Sequence, residues 1–224
     1  MNMGFNIAID GPAGAGKSTI AKKIAAALSF VYVDTGAMYR AIGLYLIRLG
    51  IEGTQEEKIA TTLSNINVKI EYVSGEQQVI LNGENVNSCI RTEEVSQMTS
   101  KISVYPAVRQ KLLQLQQTMA KESDVIMDGR DIGTCVLPNA DVKIYLTADP
   151  VVRAKRRFLE LTQKGMDCQL EDIERDIRER DHRDMTREVA PLKKAEDAIE
   201  VNTSTLTIDE VVERIVTIIR EKRG

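Results

Sequence analysis

The chain has 224 residues, of which 43% are hydrophobic and 28% charged, and its formal net charge at pH 7 is −3. This composition is typical of a globular protein that buries about 70% of its unfolded surface. It argues against a broad electrostatic grip on nucleic acid, which needs net positive charge. Three scattered cysteines and a single histidine likewise argue against a zinc site.

The first half of the chain is predicted to alternate strand and helix and then to form a β-hairpin. Its predicted elements are a strand over 5–10, a helix over 18–28, a strand over 30–36, a helix over 37–49, and two hairpin strands over 67–73 and 77–83. The hairpin is indicated by alternating apolar and polar residues on both sides of a Ser-Gly-Glu turn.

The second half returns to alternating helices and buried strands. Its predicted elements are helices over 92–103 and 106–121, strands over 124–129 and 141–148, a charged helical stretch over 150–187 broken near Gly165, a strand over 197–203, and a closing helix capped by Thr207. No repeat or flexible linker interrupts this order.

Alternation at both ends with a hairpin between them predicts the α/β class, with a parallel sheet flanked by helices as in P-loop NTPases. We expect a single domain over 1–224. Its predicted parts are a core formed by 1–63, 105–149 and 190–224, an insert over about 64–104, and a helical lid over about 150–189.

The segment Gly-Pro-Ala-Gly-Ala-Gly-Lys-Ser at 11–18 matches the phosphate-binding loop pattern in full, between a predicted strand and a predicted helix. Glycines allow successive backbone amides to curl around an anion, and the following helix adds its N-terminal donors. Lys17 supplies a full charge to the β- and γ-phosphates, and Ser18 offers a hydroxyl to Mg²⁺. The segment therefore predicts a nucleoside triphosphate site.

Three classes of protein remain open at this point: a small-molecule kinase, a GTPase switch and a motor-like ATPase. The chain has no Asn-Lys-x-Asp motif for reading guanine, and it is small for a motor. A kinase must hold a second anionic substrate and exclude water. A kinase of this kind therefore needs arginines on mobile segments to hold that anionic substrate.

Such residues follow two predicted strands. Arg40 comes shortly after the second strand, and Arg130 and Asp131 follow the strand that ends in Asp128-Gly129. The carboxyl ends of parallel strands are where ligands bind in open α/β sheets. Asp128 is a candidate for orienting Mg²⁺ through water.

The charged helices over 150–187 carry further candidates. Arg153 and Arg157 are four residues apart, and Arg180, Asp184 and Arg187 share the spacing of one helical face. A solvated, salt-bridged helix is the ordinary interpretation of such a run. Because this stretch has few apolar anchors, we predict that it opens easily and closes onto the triphosphate. Lys17, Arg130, Arg153 and Arg157 are the predicted catalytic residues.

Five segments together resemble the bacterial cytidylate kinases, the (d)CMP kinases of the nucleoside monophosphate kinase family. They are "IAIDGPAGAGKST", "VDTGAMYR", "IRTEEVS", "DGRDIGT" and "RDHRDMTREVAPL". The first is generic to phosphate-binding folds, whereas the last two are far more particular. The resemblance runs from Ile7 to Arg220, and it implies that the hairpin belongs to a monophosphate-binding insert.

The resemblance implies transfer of the γ-phosphoryl of ATP to CMP or dCMP, with Mg²⁺, and it assigns individual residues. ATP is assigned to Gly11, Pro12, Ala13, Gly14, Ala15, Gly16, Lys17, Ser18 and Thr19. The CMP phosphate is assigned to Arg40 and Arg130, the cytosine to Ser100, Arg109 and Asp131, the sugar to Thr35, Arg180 and Asp184, and we add Arg187 to the CMP residues. Thr35 departs from the serine common in the family, although it keeps the hydroxyl.

Two alternatives stay open: another P-loop kinase, such as a UMP/CMP or adenylate kinase, and a nucleotide-regulated binding protein without transfer activity. The N-terminal stretch has no signal-peptide pattern, and no run is apolar enough for a membrane span. We expect a cytoplasmic monomer whose partners are small molecules, with neither nucleic acid nor a membrane among them.

Overall fold

The structure is a computed structural model that describes residues 4–224. The first three residues of the N-terminal stretch, for which no signal peptide is predicted, lie outside the described residues. The chain divides into two compact units. We call the residues up to Tyr32 together with Ala120–Gly224 the phosphate-loop unit, and Val33–Met119 the hairpin unit.

Strands and helices follow the predicted order with a few additions. The strands are β1 (Asn6–Asp10), β2 (Val31–Asp34), β3 (Val68–Val73), β4 (Glu76–Leu81), β5 (Glu84–Asn85), β6 (Val125–Gly129), β7 (Val142–Thr147) and β8 (Ile199–Asn202). The helices are α1 (Lys17–Leu28), α2 (Thr35–Arg48), α3 (Glu56–Thr62), α4 (Glu93–Ile102), α5 (Pro106–Glu122), α6 (Pro150–Gln163), α7 (Leu170–Thr186) and α8 (Ile208–Arg223). Short helical turns occupy Leu63–Asn65 and Ile132–Val136.

The larger sheet has the strand order β2-β6-β1-β7-β8, with β1 at its centre. The pairs β1–β6, β1–β7 and β7–β8 are parallel, which confirms the predicted α/β class. In register, Asp10 of β1 lies beside Gly129 of β6 and Tyr145 of β7. The carboxyl ends of the three central strands therefore meet at one edge, where ligands bind in sheets of this kind.

Helices α1 and α8 cover this sheet with apolar faces. Ile20 and Ile24 of α1 share a buried cluster with Val211 and Ile215 of α8 and with Ile9 of β1. The spacing of these residues by three or four positions places them on one face of each helix. This packing fixes the start of α1 against the sheet, and it thereby fixes the loop between β1 and α1.

The N-terminus of α8 is held by a capping box. The Thr207 hydroxyl accepts from the amide of Glu210 at 3.3 Å, and the Glu210 carboxylate accepts from the amide of Thr207 at 2.7 Å. Both bonds satisfy amides that have no partner within the helix. The predicted cap at Thr207 is confirmed.

Removing this cap tests its contribution to stability. Thr207→Ala is expected to lower the free energy of unfolding by about 1 kcal/mol, which corresponds to a melting temperature lower by about 2–4 °C for a chain of this size. Thr217→Ala is the control, because the Thr217 hydroxyl only bonds back to the carbonyl of Glu213 within α8. Equal melting of the two variants in a thermal scan would contradict the contribution of the cap.

In the hairpin unit, β3, β4 and β5 form an antiparallel sheet, and α2 packs against α4 and the hairpin. Ser74 and Gly75 both have positive φ, 52° and 80°, which is the backbone of a tight hairpin turn. The predicted hairpin is confirmed. This unit also contains α2, α3 and most of α5.

The structure corrects three details of the predicted elements. The strand predicted over 30–36 ends at Asp34, because the Asp34 carboxylate accepts from the Ala37 amide at 2.8 Å and starts α2 there. Asn82 and Gly83, predicted to end a strand, both have positive φ and form a second tight turn into β5. The sequence analysis did not predict helix α3.

No helix among residues 4–224 combines the length and apolar character that a bilayer crossing needs.

Candidate active site

The loop from Gly11 to Gly16 joins β1 to α1. Gly14 and Gly16 have φ of 75° and 91°, values that side-chain-bearing residues rarely adopt. At Gly11, an added Cβ would lie 1.9 Å from the carbonyl oxygen of Leu146 on β7. Glycine is required at Gly11 by the neighbouring strand, and at Gly14 and Gly16 by the turn itself.

Lys17 is the first residue of α1, and it is only 6% exposed. Its Nζ donates to the carbonyl of Pro12 at 2.8 Å, across the loop. Burial lowers the pKa of Lys17 to about 7, with Arg130 adding to the effect and the carboxylates of Asp128 and Asp10 opposing it. An anion bound in the loop would restore the charged form of this ammonium, so the residue suits a phosphate site.

Asp128, near the end of β6, accepts hydrogen bonds from two hydroxyl groups. Its two carboxylate oxygens accept from the hydroxyl of Ser18 at 2.9 Å and from that of Tyr32 at 2.8 Å. Asp128 is 5% exposed. A carboxylate beside a serine hydroxyl is an oxygen donor set of the kind that Mg²⁺ prefers, so these residues fit the metal that the phosphate loop implies.

Arg130 and Asp131 each face a residue of opposite charge near the end of α7. Arg130 Nε donates to Asp184 at 2.8 Å, and Arg187 donates to Asp131 at 3.5 Å and to the carbonyl of Ala190 at 2.6 Å. Although burial opposes it, the Arg130 guanidinium holds the pKa of Asp184 below its usual value. Helix α7 ends at Thr186, so Arg187 reaches Asp131 from the segment after the helix and not from the predicted helical face.

Arg153 and Arg157, predicted to act together, occupy different environments. The Arg153 side chain is 3% exposed, and it donates to the carbonyls of Ala13 and Ala148 and to Asp181 at 2.6 Å. The Arg157 side chain is 40% exposed and pairs with Glu160 one turn along α6. Arg153 thus ties α6 and α7 to the phosphate loop, whereas Arg157 faces solvent.

In the hairpin unit, Asp34 anchors two arginines. Its carboxylate accepts from Arg40 at 3.1 Å and from Arg91 at 2.9 Å, and Gln77 donates to its backbone carbonyl. The Nε of Arg40 is buried and makes no hydrogen bond to residues 4–224. Two cations against one carboxylate leave a surplus positive charge, which suits an anionic ligand.

Ser100, Arg109 and Thr35, assigned to CMP by resemblance, also lie in this unit. The Ser100 hydroxyl is buried without a hydrogen-bond partner among the described residues, which is the state expected of a group that meets a polar ligand. Arg109 donates to the carbonyl of Ser103 at 3.2 Å, and its guanidinium lies 5.9 Å from the centre of the Tyr39 ring. Thr35 begins α2 and is buried.

The phosphate-loop unit brings Lys17, Ser18, Asp128, Arg130 and Asp184 into one charged cluster, whose members shift one another's pKa or share hydrogen bonds. Arg180 belongs to it too, since its charge affects the pKa of Lys17 and Asp184. The sequence analysis missed Asp10, Tyr32 and Asp181 in the phosphate-loop unit, and Asp34 and Arg91 in the hairpin unit. Asp10 could have been found because it ends a predicted strand, and Asp34 because aspartate is a preferred N-cap residue before a predicted helix.

A parallel sheet whose first strand enters a helix through this loop, with a buried lysine and a serine–aspartate pair, defines a P-loop nucleotide-binding protein. The family model for cytidylate kinase matches residues 7–221. The chain therefore belongs to the cytidylate kinase family, as the sequence resemblance predicts.

Individual relatives agree with the family match. The chain is 52% identical over 211 residues to a cytidylate kinase of Caldicellulosiruptor saccharolyticus, covering 94% of this chain and 93% of that protein. It is 49% identical to a cytidylate kinase of Lactobacillus johnsonii, covering 100% of this chain and 97% of that protein. An uncharacterized protein from Eubacterium ventriosum, known from a crystal structure, shares the fold alone, with 15% identity, a TM-score of 0.50 and coverage of 97% and 98% of the two chains.

Proposed function

We propose that this protein transfers the γ-phosphoryl group of ATP to CMP or dCMP, giving ADP and CDP or dCDP. The observation that carries the proposal is the buried Lys17 in a complete phosphate loop, within a chain that belongs to the cytidylate kinase family. The relatives named cytidylate kinase support the choice of pyrimidine nucleotide. The alternatives, another monophosphate kinase or a binding protein, would share the loop but not the family's particular motifs.

The proposed chemistry is a direct in-line displacement. An oxygen of the CMP phosphate attacks the γ-phosphorus, the bond from that phosphorus to the β–γ bridging oxygen breaks, and ADP leaves with the electron pair. Little covalent chemistry falls to the protein, so positioning and charge neutralisation supply the rate. Lys17, Arg130, Arg153 and Arg157 are the proposed catalytic cations, and Arg153 also holds the phosphate loop through the carbonyl of Ala13.

We assign the loop over 11–19 to the ATP phosphates. Ser18 and Asp128 are the residues that would hold Mg²⁺, which when bound neutralises part of the phosphate charge. For CMP we propose Arg130, Asp131, Arg180, Asp184 and Arg187 from the phosphate-loop unit. From the hairpin unit we propose Thr35, Arg40, Ser100 and Arg109. The buried Nε of Arg40 and hydroxyl of Ser100, which have no hydrogen-bond partner within residues 4–224, support this assignment.

Asp131 and Arg109 have the chemistry to distinguish cytosine from uracil. Cytosine presents a donor at its 4-amino group and acceptors at N3 and O2, which match a carboxylate and a guanidinium. Uracil reverses the pattern at positions 3 and 4, so the same protein groups would be mismatched, which is costly when they are buried.

We also propose that the protein acts as a cytoplasmic monomer, and its net charge of −3 makes a nucleic-acid partner unattractive.

The test is to incubate the purified protein with ATP and Mg²⁺ plus each nucleoside monophosphate in turn and to look for diphosphates. We expect product from CMP and dCMP. Product from AMP alone would identify an adenylate kinase, and equal rates with CMP and UMP would identify a UMP/CMP kinase. No diphosphate from any monophosphate would favour the binding protein.

A further inference from the structure

Asp10, the last residue of β1, holds two amides that lie more than a hundred residues away in the chain. One carboxylate oxygen accepts from the backbone N–H of Ile132 at 2.8 Å, and the other accepts from that of Gly133 at 2.7 Å. Asp10 is 5% exposed. Because each oxygen of this buried carboxylate accepts from a separate amide, the orientation of the carboxylate is fixed. The two hydrogen bonds also fix the positions of the two amides.

These amides begin the turn Ile132–Val136, which directly follows Arg130 and Asp131. Amides at the start of a helical turn have no partner within it, so Asp10 caps this turn from another strand. The hydrogen bonds inside the turn share the carbonyl of Asp131 as their acceptor, since the amides of Cys135 and Val136 donate to it at 2.8 Å and 3.2 Å. The orientation of Asp131 is therefore coupled to the Asp10 carboxylate.

The turn has little room to move away from Asp10. A Cβ added at Gly133 would lie 3.1 Å from the Lys143 Cδ and 3.4 Å from an Asp10 oxygen. Lys143 in turn is bonded to the carbonyl of Pro138 at 2.6 Å and to Asp197. The turn is thus confined between Asp10 at its beginning and the Lys143 side chain alongside it.

The arrangement requires a carboxylate and not merely a polar residue. Two donors need two acceptors, and an asparagine would offer one oxygen and present its NH₂ group to the other amide. The carboxylate is also costly in this place, because burial raises the pKa of Asp10 to about 6 in spite of the two amides. Retaining it there is consistent with a role that an apolar residue cannot fill.

We propose that Asp10 is a positioning residue for the nucleotide acceptor: by capping the turn at Ile132 and Gly133 it fixes Asp131 and Arg130, and it thereby sets the preference for CMP over UMP. This inference rests on the proposed function. In the proposed role Asp10 itself does not touch the base. It acts through the backbone that carries the two residues.

The first experiment measures kcat/KM for CMP and UMP, and KM for ATP, in Asp10→Asn. We expect the CMP/UMP ratio to fall about tenfold or more and KM for CMP to rise, because small displacements of positioning groups carry large kinetic penalties. KM for ATP is expected to change less than KM for CMP, since the hydrogen bonds of Asp10 go to the acceptor loop and its link to the phosphate loop is only the electrostatic support of Lys17. An unchanged CMP/UMP ratio in a folded variant overturns the proposal.

Asp141→Asn is the matched control. The Asp141 carboxylate also accepts from a backbone amide of β1, that of Asn6 at 2.7 Å, but at the opposite end of the strand. It holds a single amide, which an asparagine oxygen can still accept. Both the CMP/UMP ratio and the rate are expected to match those of the unsubstituted protein, and an equal loss of selectivity here would remove the case for Asp10.

A second variant and a second readout separate the possible failures. Gly133→Ala keeps the Asp10 carboxylate but crowds the turn, because the added Cβ would lie 3.1 Å from the Lys143 Cδ, and we expect a smaller fall in the CMP/UMP ratio. Hydrogen exchange of the 130–136 backbone should speed up in Asp10→Asn by about tenfold or more while the strands stay protected. If the unsubstituted protein makes no CDP, the proposed function fails. If it is selective for CMP and both variants keep that selectivity, only the inference about Asp10 fails.

Discussion

Replacing Lys17 with methionine is expected to abolish phosphoryl transfer and to make the protein more stable. The loss of rate should exceed about a hundredfold, because removing a preorganised charge from a phosphoryl-transfer site costs several kcal/mol of transition-state stabilisation. The gain in stability has a separate cause. Lys17 is buried, and its pKa falls from 10.5 to about 7 on folding, so the folded state opposes the charge that the unfolded chain carries.

The pH dependence of this gain follows from the same shift. Between pH 7 and 10.5 the unfolded chain binds more protons at Lys17 than the folded protein, so the stability of the unsubstituted protein rises with pH across that window. The cost of burying the ammonium is fully present below pH 7 and disappears towards pH 10.5. We expect Lys17→Met to gain about 2 kcal/mol at neutral pH, less than the full shift implies because the Pro12 carbonyl loses its donor.

Thermal scans at several pH values, run beside a coupled assay for ADP release, measure both effects. Lys23→Met is the control, because Lys23 lies on the same helix and forms only an exposed pair with Asp209. It should alter neither the rate nor the melting temperature appreciably. Near-normal turnover in Lys17→Met would count against the phosphate site, and a lower melting temperature at neutral pH would contradict the cost assigned to burial.

The second large effect is expected on base selectivity. Asp131→Ala should reduce the ratio of kcat/KM for CMP to that for UMP by about tenfold or more, because the proposed acceptor for the cytosine amine is lost and uracil no longer meets a mismatched carboxylate. Arg187 keeps its bond to the carbonyl of Ala190, so the segment after α7 retains an anchor. The fold should survive the change.

Steady-state kinetics with both nucleotides give this ratio directly. Asp172→Ala is the control, because Asp172 forms an exposed pair with Arg175 within α7 and nothing in the site depends on it. A ratio that stays the same in Asp131→Ala would remove Asp131 from base reading. It would leave the phosphate loop and its lysine untouched as a proposal.

The parts of the fold that the sequence predicted are those governed by local rules. The alternating strands and helices, the hairpin turn at Ser74-Gly75 and the cap at Thr207 each depend on residues within one or two turns of the chain. The errors were local as well. Asn82-Gly83 is a strong turn signal that was assigned to a strand. Asp34 caps a helix, but it was assigned to the interior of a strand.

The sequence could predict several residues of the candidate site, but it could not predict the partners and burial of each side chain. The motif located Lys17 and Ser18, because their roles follow from the geometry of one loop. The shared spacing of Arg153 and Arg157 suggested a shared role, yet one is buried against the carbonyl of Ala13 and the other is exposed. Such differences depend on what packs against a helix, and helical spacing alone does not report it.

The side chains that α6 and α7 bury have an uncommon composition. Of the five side chains that these two helices bury, three are charged, namely Arg153, Asp181 and Asp184, and only Ala154 and Ile173 are apolar. Detaching the helices would therefore uncover these charges along with the half-buried Val151, Val152 and Phe158, so the accompanying heat-capacity change should be smaller than for an apolar interface. The enthalpy of that detachment should then vary less with temperature than it does where an apolar interface opens.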